Sequence, residues 1–273
     1  MGCEEAAEDP SRLFEQTMTK KEKVDSRTKF PKDQELEQKL ALVIEKHNIS
    51  PAEMLQCFPI FVRRNSLRRF LAHYDLFQRT INLPGDIVEI GVFRGLSLMS
   101  FANFLEIRCM GDRAKRVWGF DNFEGFTKLA AQDGPEYADR DKVVSGYNPN
   151  RYYQELVDAI DLFDSDRFVS WKERVHLVEG DATKTIPQFV TDHPGLRISL
   201  LHLDVDMYEP TKVALEHLYS RVVPGGVIVF DEYGILEWGG ESTAAEEFLA
   251  DKKEVLRKFE WVSQPGAYII KGS

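Results

Sequence analysis

The chain has 273 residues, a formal net charge of −10, a 43% hydrophobic content and three cysteines. This acidic balance speaks against nucleic acid as a partner, because phosphate binding needs a basic face. No apolar run approaches the roughly 20 residues that span a bilayer, and no secretory leader pattern opens the chain, so a cytoplasmic protein without membrane contact is expected.

The hydrophobic content suffices for one large α/β domain with a tail or small subdomain. Met1-Gly2-Cys3 invites a lipidation reading, but Ala6 stands where the myristoylation pattern wants Ser or Thr. Cys3, Cys57 and Cys109 have neither metal nor redox spacing. Residues 1–33 are polar, charged and without apolar period, and read as a mobile tail. Residues 34–82 read as a helical extension suited to a lid or a subunit contact. Its helices cover 34–47, a short stretch started by Ser50 as cap and Pro51 at the first position, and 66–80. Residues 83–273 then alternate strand and helix. Strands are expected at 86–91, 116–121, 175–179, 198–203 and 227–230, with helices at 96–107, 152–162, 183–190, 209–221 and 243–258. Phe259-Glu-Trp-Val262 and Ala267-Tyr-Ile-Ile-Lys271, split by Gln264-Pro265-Gly266, read as a terminal hairpin. Five βα units and a hairpin predict a doubly wound, Rossmann-like sheet, mostly parallel with one antiparallel strand.

The most informative feature is where the strands stop. The fourth ends in Asp204-Val-Asp206 and the fifth in Asp231-Glu232. A strand, a crossover helix and a second strand make parallel neighbours about 4.8 Å apart, so both acidic ends emerge on one edge of the sheet. Open α/β sheets bind ligands at that edge. Clustered there, Asp204, Asp206, Asp231 and Glu232 repel one another unless a cation sits between them.

The first strand leads into Glu89-Ile-Gly91-Val92-Phe-Arg-Gly95-Leu-Ser97, a glycine turn opening a helix. Its Gly-x-x-x-Gly spacing is not the Gly-x-Gly-x-x-Gly of dinucleotide binders, which disfavours a nicotinamide dehydrogenase. Amides at the helix start suit an anionic group, and Glu89 suits an amine-bearing ligand. Asp121, with Phe123 just beyond it, ends the second strand, where a carboxylate can accept from ribose hydroxyls. Gly180-Asp181-Ala182 ends the third, where an Asp can meet an adenine amino group. The plainer reading of Asp121 and Asp181 is helix capping. Acids at successive strand ends form the pattern of a class I S-adenosylmethionine methyltransferase.

Four segments in order carry a resemblance: Gly85-Asp-Ile-Val-Glu-Ile-Gly-Val-Phe-Arg-Gly95, Gly119-Phe-Asp-Asn-Phe-Glu-Gly-Phe126, Leu203-Asp-Val-Asp-Met-Tyr-Glu209 and Pro224-Gly-Gly-Val-Ile-Val-Phe-Asp-Glu-Tyr-Gly234. From about residue 66 to the C-terminus the chain resembles the macrocin/mycinamicin O-methyltransferase family. The resemblance implies metal-dependent transfer of the methyl of S-adenosylmethionine to a sugar hydroxyl. It implies Asp204, Asp231 and Glu232 as ligands of Mg²⁺ or Mn²⁺, with Asp204 also beside the donor and Asp206 as base. The Asp-Glu pair at 231–232, where most relatives have Asp-Asp, resembles a subset acting on nucleotide-linked deoxysugars. A histidine base in the loop after the second strand is closed to this chain, which has no His between His73 and His176. Relatives are usually homo-oligomers, so a homodimer is expected.

Other residues have two readings. His202 and His176 read as packed strand histidines. Lys128, Arg140, Lys142 and Arg151, in or beside the long loop at 124–150, either meet the diphosphate of a nucleotide-sugar or are simply solvated. Trp238-Gly239-Gly240-Glu241, which follows the acids, either walls the acceptor pocket or is a loop whose Trp packs under the next helix. The competing functions are a methyltransferase for a catechol or other vicinal diol, and a cofactor-binding scaffold without catalysis. The retained acids speak against the scaffold.

Overall fold

The computed structural model describes residues 31–135 and 141–272. The tail before Pro31, with Met1, Gly2 and Cys3, and Arg140 of the long loop lie outside the described residues. The chain divides into two compact units between Val62 and Arg63.

The first unit holds helices α1 (Pro31–His47), α2 (Pro51–Gln56) and α3 (Phe58–Phe61). α1 carries Asp33 in its first turn and Lys46 and His47 in its last, matching the helix dipole. α2 begins as its sequence predicts: Pro51 opens it, the Glu53 amide donates to Ser50 Oγ, and the Ser50 amide donates to the Glu53 carboxylate.

The second unit opens with α4 (Arg64–Thr80) and continues β1 (Asp86–Ile90), α5 (Leu96–Cys109), β2 (Val117–Asp121), α6 (Asn150–Asp166), β3 (Val175–Glu179), α7 (Ala182–Asp192), β4 (Ile198–Leu203), α8 (Tyr208–Leu218), β5 (Val222–Phe230), α9 (Gly239–Leu249) and β6 (Ala267–Ile270). α4 buries Ala72, His73, Leu76 and Phe77, so it belongs to this core rather than with the helices before it. Among the described residues the sheet order is β3-β2-β1-β4-β5-β6, with β6 antiparallel to β5 and all other pairs parallel. The switch point between β1 and β4 is where such a sheet opens a ligand crevice. No helix among the described residues is long and apolar enough to cross a membrane.

Period-2 alternation splits the core in two. Ile87, Leu200, Val227 and Val229 face α4 and α5 with Phe77, Phe101 and Phe104. Val88, Leu201, Leu203, Ile228 and Phe230 face α7 and α8 with Phe189, Ala214 and Leu215. Register then decides the site. Glu89 lies opposite His202, and His202 opposite Val229, all on the α4 side. Asp204 and Asp231, each two residues on from a residue of that side, continue along the same face toward α4.

Two elements differ from expectation. The arm expected at 259–262 forms no strand. Only an isolated bridge remains, with the amides of Arg257 and Tyr268 each donating to the other's carbonyl, at 2.9 and 2.8 Å. Phe259 turns instead into the core, its ring 5.5 Å from that of Tyr268. α9 starts four residues earlier than 243 and stops at Leu249, where Asp251-Lys-Lys-Glu254 offers no apolar face to bury. Its early start passes through Gly239 and Gly240 because the backbone packs tightly there: a Cβ on Gly240 would lie 1.9 Å from Asp133 Oδ1. Tertiary contact overrides the low helix propensity of glycine.

The loop between β2 and α6 is pinned at two points. Asp133 accepts from the Tyr208 amide at the start of α8 (2.7 Å) and from the Ala130 amide (2.6 Å). Lys142 is buried and donates to the carbonyls of Asp133 and Glu237.

Gly91 tests how closely the β1 and β4 turns approach. It has φ +90°, and an added Cβ would lie 1.8 Å from the Asp204 carbonyl oxygen. Gly91→Ala combines left-handed strain with a backbone clash. It is expected to destabilise the second unit by roughly 2–5 kcal/mol, read as a lowered melting temperature. A variant melting like the parent would refute this close approach.

Candidate active site

The glycine turn after β1 is built around Asp121. Its Oδ2 accepts from the amides of Val92 and Phe93, both at 2.8 Å, and its Oδ1 from the Phe123 amide at 2.7 Å. Three of the roughly four acceptor sites of a carboxylate are thereby used within the turn. Gly95, at φ +84°, packs against Leu156, and Ser97 is buried in the first turn of α5. The Gly180 amide donates to the Asp121 carbonyl (2.9 Å), joining the ends of β2 and β3. Asp181 caps α7, accepting from the Thr183 amide (3.0 Å) and hydroxyl (2.7 Å), with Ala182 the first helical residue. The candidates Gly91, Val92, Gly95, Ser97, Asp121, Phe123, Gly180, Asp181 and Ala182 thus flank the C-terminal edge of β1, β2 and β3. Glu89 does not join them. It is fully buried, and its Oε1 lies 2.8 Å from His202 Nδ1.

The acids converge as the crossover predicts. Asp204, Asp231 and Glu232 each offer a carboxylate oxygen within 4.8 Å of the others. The Asp204 amide donates to Ile90 and the Asp231 amide to Leu203, continuing the parallel ladders past the strand ends. Asp206 follows in a left-handed conformation, φ +63°. Glu232 is held from two sides: Gln264 donates to its Oε1 (3.0 Å), and its amide donates to buried Glu241 (2.9 Å). Glu232 Oε2 is buried with no hydrogen-bond partner among the described residues.

A cation already lies in this cluster. Arg69, from α4, places Nη2 2.5 Å from Asp204 Oδ2 and 2.9 Å from Asp231 Oδ2. One helical turn on, His73 is fully buried with neither ring nitrogen hydrogen-bonded among the described residues, its ring 5.1 Å from that of His202. His202 sits between two carboxylates, with Nδ1 on Glu89 and Nε2 3.4 Å from Asp231 Oδ1.

Burial and neighbours set the charges. Burial opposes protonation of His202, but hydrogen bonds with Asp231 and Glu89 prevail and raise its pKa to about 10. Burial pushes His73 the other way, helped by the nearby His202 and Arg69, and holds it neutral. Burial and then Asp231 raise Asp204 to about 6, against the pull of Arg69. Asp231 resists burial because Arg69 and His202 outweigh it, and its carboxyl is held below the usual range. Glu232 is raised well above it, by burial first and then by Asp206, Asp231 and Asp204.

The donors fit a hard divalent cation. All are oxygens, as Mg²⁺ or Mn²⁺ prefers, and the orphaned Glu232 Oε2 is a buried acceptor in want of a partner. Arg69 offsets only part of the acidic charge gathered here.

Several expectations change. His202 is a charged bridge between two buried carboxylates, not a merely packed strand histidine. Lys142 is spent on carbonyls and on the Trp238 ring, 5.3 Å from its centroid, and is withdrawn as a diphosphate contact. Trp238 is buried against Phe126 and Tyr147 of the long loop. Arg69, His73 and Gln264 were not singled out by sequence, the Arg69/His73 spacing of four being the available signal. Glu241, expected only as part of a pocket wall, instead accepts from the Glu232 amide.

Residues 64–271 match the family model described as macrocin-O-methyltransferase (TylF). The chain is 34% identical over 154 residues to 8-demethyl-8-(2,3-dimethoxy-alpha-L-rhamnosyl)-tetracenomycin-C 4'-O-methyltransferase of Streptomyces olivaceus, covering 56% of this chain and 54% of that protein. It is 31% identical over 157 residues to mycinamicin III 3''-O-methyltransferase of Micromonospora griseorubida, covering 56% and 57%. The match therefore spans about half the length of these curated relatives. Among solved structures, the calicheamicin methyltransferase CalS11 superposes with TM-score 0.82 at 28% identity, over 89% of this chain and 94% of that one. With motif order, sheet topology and clustered acids in agreement, the chain belongs to the macrocin-O-methyltransferase (TylF) family.

Proposed function

We propose that this protein is an O-methyltransferase that moves the methyl of S-adenosylmethionine to a sugar hydroxyl. The acceptor is a nucleotide-linked deoxysugar or a glycosylated natural product, and a divalent cation is held by Asp204, Asp231 and Glu232. One observation carries the reading: the glycine turn and the acid cluster share a wall, Gly91 touching the Asp204 backbone. A donor cradled at the turn and an acceptor held at the acids would then meet edge to edge. The sugar acceptors in the names of the relatives, and of CalS11 in its description as a TDP-rhamnose 3'-O-methyltransferase, support a sugar over a catechol.

Methyl transfer is an in-line displacement at a sulfonium, so the protein mainly contributes alignment and a deprotonated oxygen. The β1 turn and Asp121 would hold the donor, with one acceptor site of Asp121 left for a ribose hydroxyl. Asp204, Asp231 and Glu232 would hold the cation. When bound, that cation lowers the pKa of the acceptor hydroxyl and orients it. Asp206, two residues past Asp204, would accept the proton. Lys128 and Arg151 remain candidates for a diphosphate; Arg151 is exposed, stacked 4.4 Å from the Tyr152 ring centroid.

The test is a panel of nucleotide-deoxysugars and glycosides incubated with labelled donor and read by mass spectrometry. A methylated sugar is expected, with turnover lost on exhaustive chelation and restored by Mg²⁺ or Mn²⁺. Turnover that survives chelation would reject the metal. Tight NAD binding without S-adenosylhomocysteine binding would reject the donor.

A further inference from the structure

We infer that Arg69 is a built-in competitor for the divalent cation: its guanidinium and the metal exclude one another from Asp204 and Asp231. The inference rests on the proposed metal site and adds a residue that sets its affinity. Arg69 Nη2 lies within ion-pair distance of both carboxylates at once, 2.5 and 2.9 Å. A divalent cation bound between the same carboxylates would sit against a fixed positive charge, and like charges at that range repel strongly.

Two features mark Arg69 as displaceable. Its Nε is buried with no hydrogen-bond partner among the described residues, so the guanidinium is not seated in a pocket that uses its whole donor fork. The pair also has a way out. The side chains of Arg69 and Asp204 are 23% and 20% exposed, whereas Asp231 is fully buried. The guanidinium can leave from the wet side while Asp231 stays fixed by His202. Glu232, outside the pairs that Arg69 makes with Asp204 and Asp231, keeps a buried oxygen without a hydrogen-bond partner among the described residues.

The experiment is calorimetric titration of MnCl₂ into the full chain and its Arg69→Gln variant, with S-adenosylhomocysteine binding as the check on folding. Arg69→Gln is expected to bind Mn²⁺ at least roughly tenfold tighter, a shift of about 1.4 kcal/mol. A parent that binds no Mn²⁺ while the variant does would support the same competition. Equal affinities, or weaker binding by the variant, would overturn it and leave the metal site standing. Binding by neither protein would overturn the metal site and this inference together. A wild-type readout covers a variant that fails to fold. The Arg69 Nε–Hε resonance, assigned by its absence from Arg69→Lys, is expected to shift on titration with MgCl₂. A resonance unmoved at saturating Mg²⁺ would refute the exchange.

Discussion

Asp231→Asn is expected to lower kcat/KM by about a thousandfold, leaving S-adenosylhomocysteine binding in place. Asp231 is fully buried and is the acid most firmly held ionised, by Arg69 and His202 against the cost of burial. The amide keeps the volume and removes the charge. A cation acting as Lewis acid supplies several kcal/mol, and each 1.36 kcal/mol is tenfold in rate. The donor turn is built from Asp121 and backbone amides and does not depend on Asp231, so product binding by calorimetry should be unchanged. More than about a tenth of parental turnover would contradict the assignment. Asp206→Asn divides the roles further. A lost general base costs on the order of 10²–10⁴ in rate, with Mn²⁺ affinity retained. Near-full turnover in that variant would remove Asp206 as the base.

His202→Leu is expected to destabilise the sheet-bearing unit by about 3–5 kcal/mol, the usual cost of stranding a buried ionic partner. Two partners are stranded here, Glu89 and Asp231, both fully buried. Each kcal/mol lowers the melting temperature of a unit this size by roughly 2–4 °C, so a drop on the order of 10 °C should be seen. The effect has a pH signature. The folded pKa of His202 is raised from 6.5 to about 10, so the imidazolium contributes its full stability below pH 6.5 and loses it as pH climbs toward 10. Denaturant melts at pH 6, 8 and 10 should show the gap between parent and variant closing across that window. A gap independent of pH would mean that His202 fills space without carrying charge.

Much of the site was legible in the residues alone. Strand, crossover and strand between Ile198 and Phe230 require parallel neighbours, which brought Asp204, Asp231 and Glu232 together. Gly91 and Gly95 marked the turn, because few other residues take a left-handed backbone in so tight an approach. Asp181 left two readings open, and the structure shows its capping contacts on α7.

The sequence by itself determined the βα alternation and the sheet edge where the acids gather, because these follow from local periodicity and from what must end each strand, and its four ordered motifs carried the resemblance to the family. Only the tertiary structure decided which charges meet. Arg69 reaches Asp204 across 135 positions, His202 reaches Glu89 across 113, and Lys142 reaches Glu237 across 95. The first two pairings depend on β1 lying beside β4 and on one face of α4 lying over both, and the third joins the loop after β2 to the turn after β5. A one-dimensional pattern carries no information about that order, whereas burial in the folded core makes an unpaired charge too costly to leave.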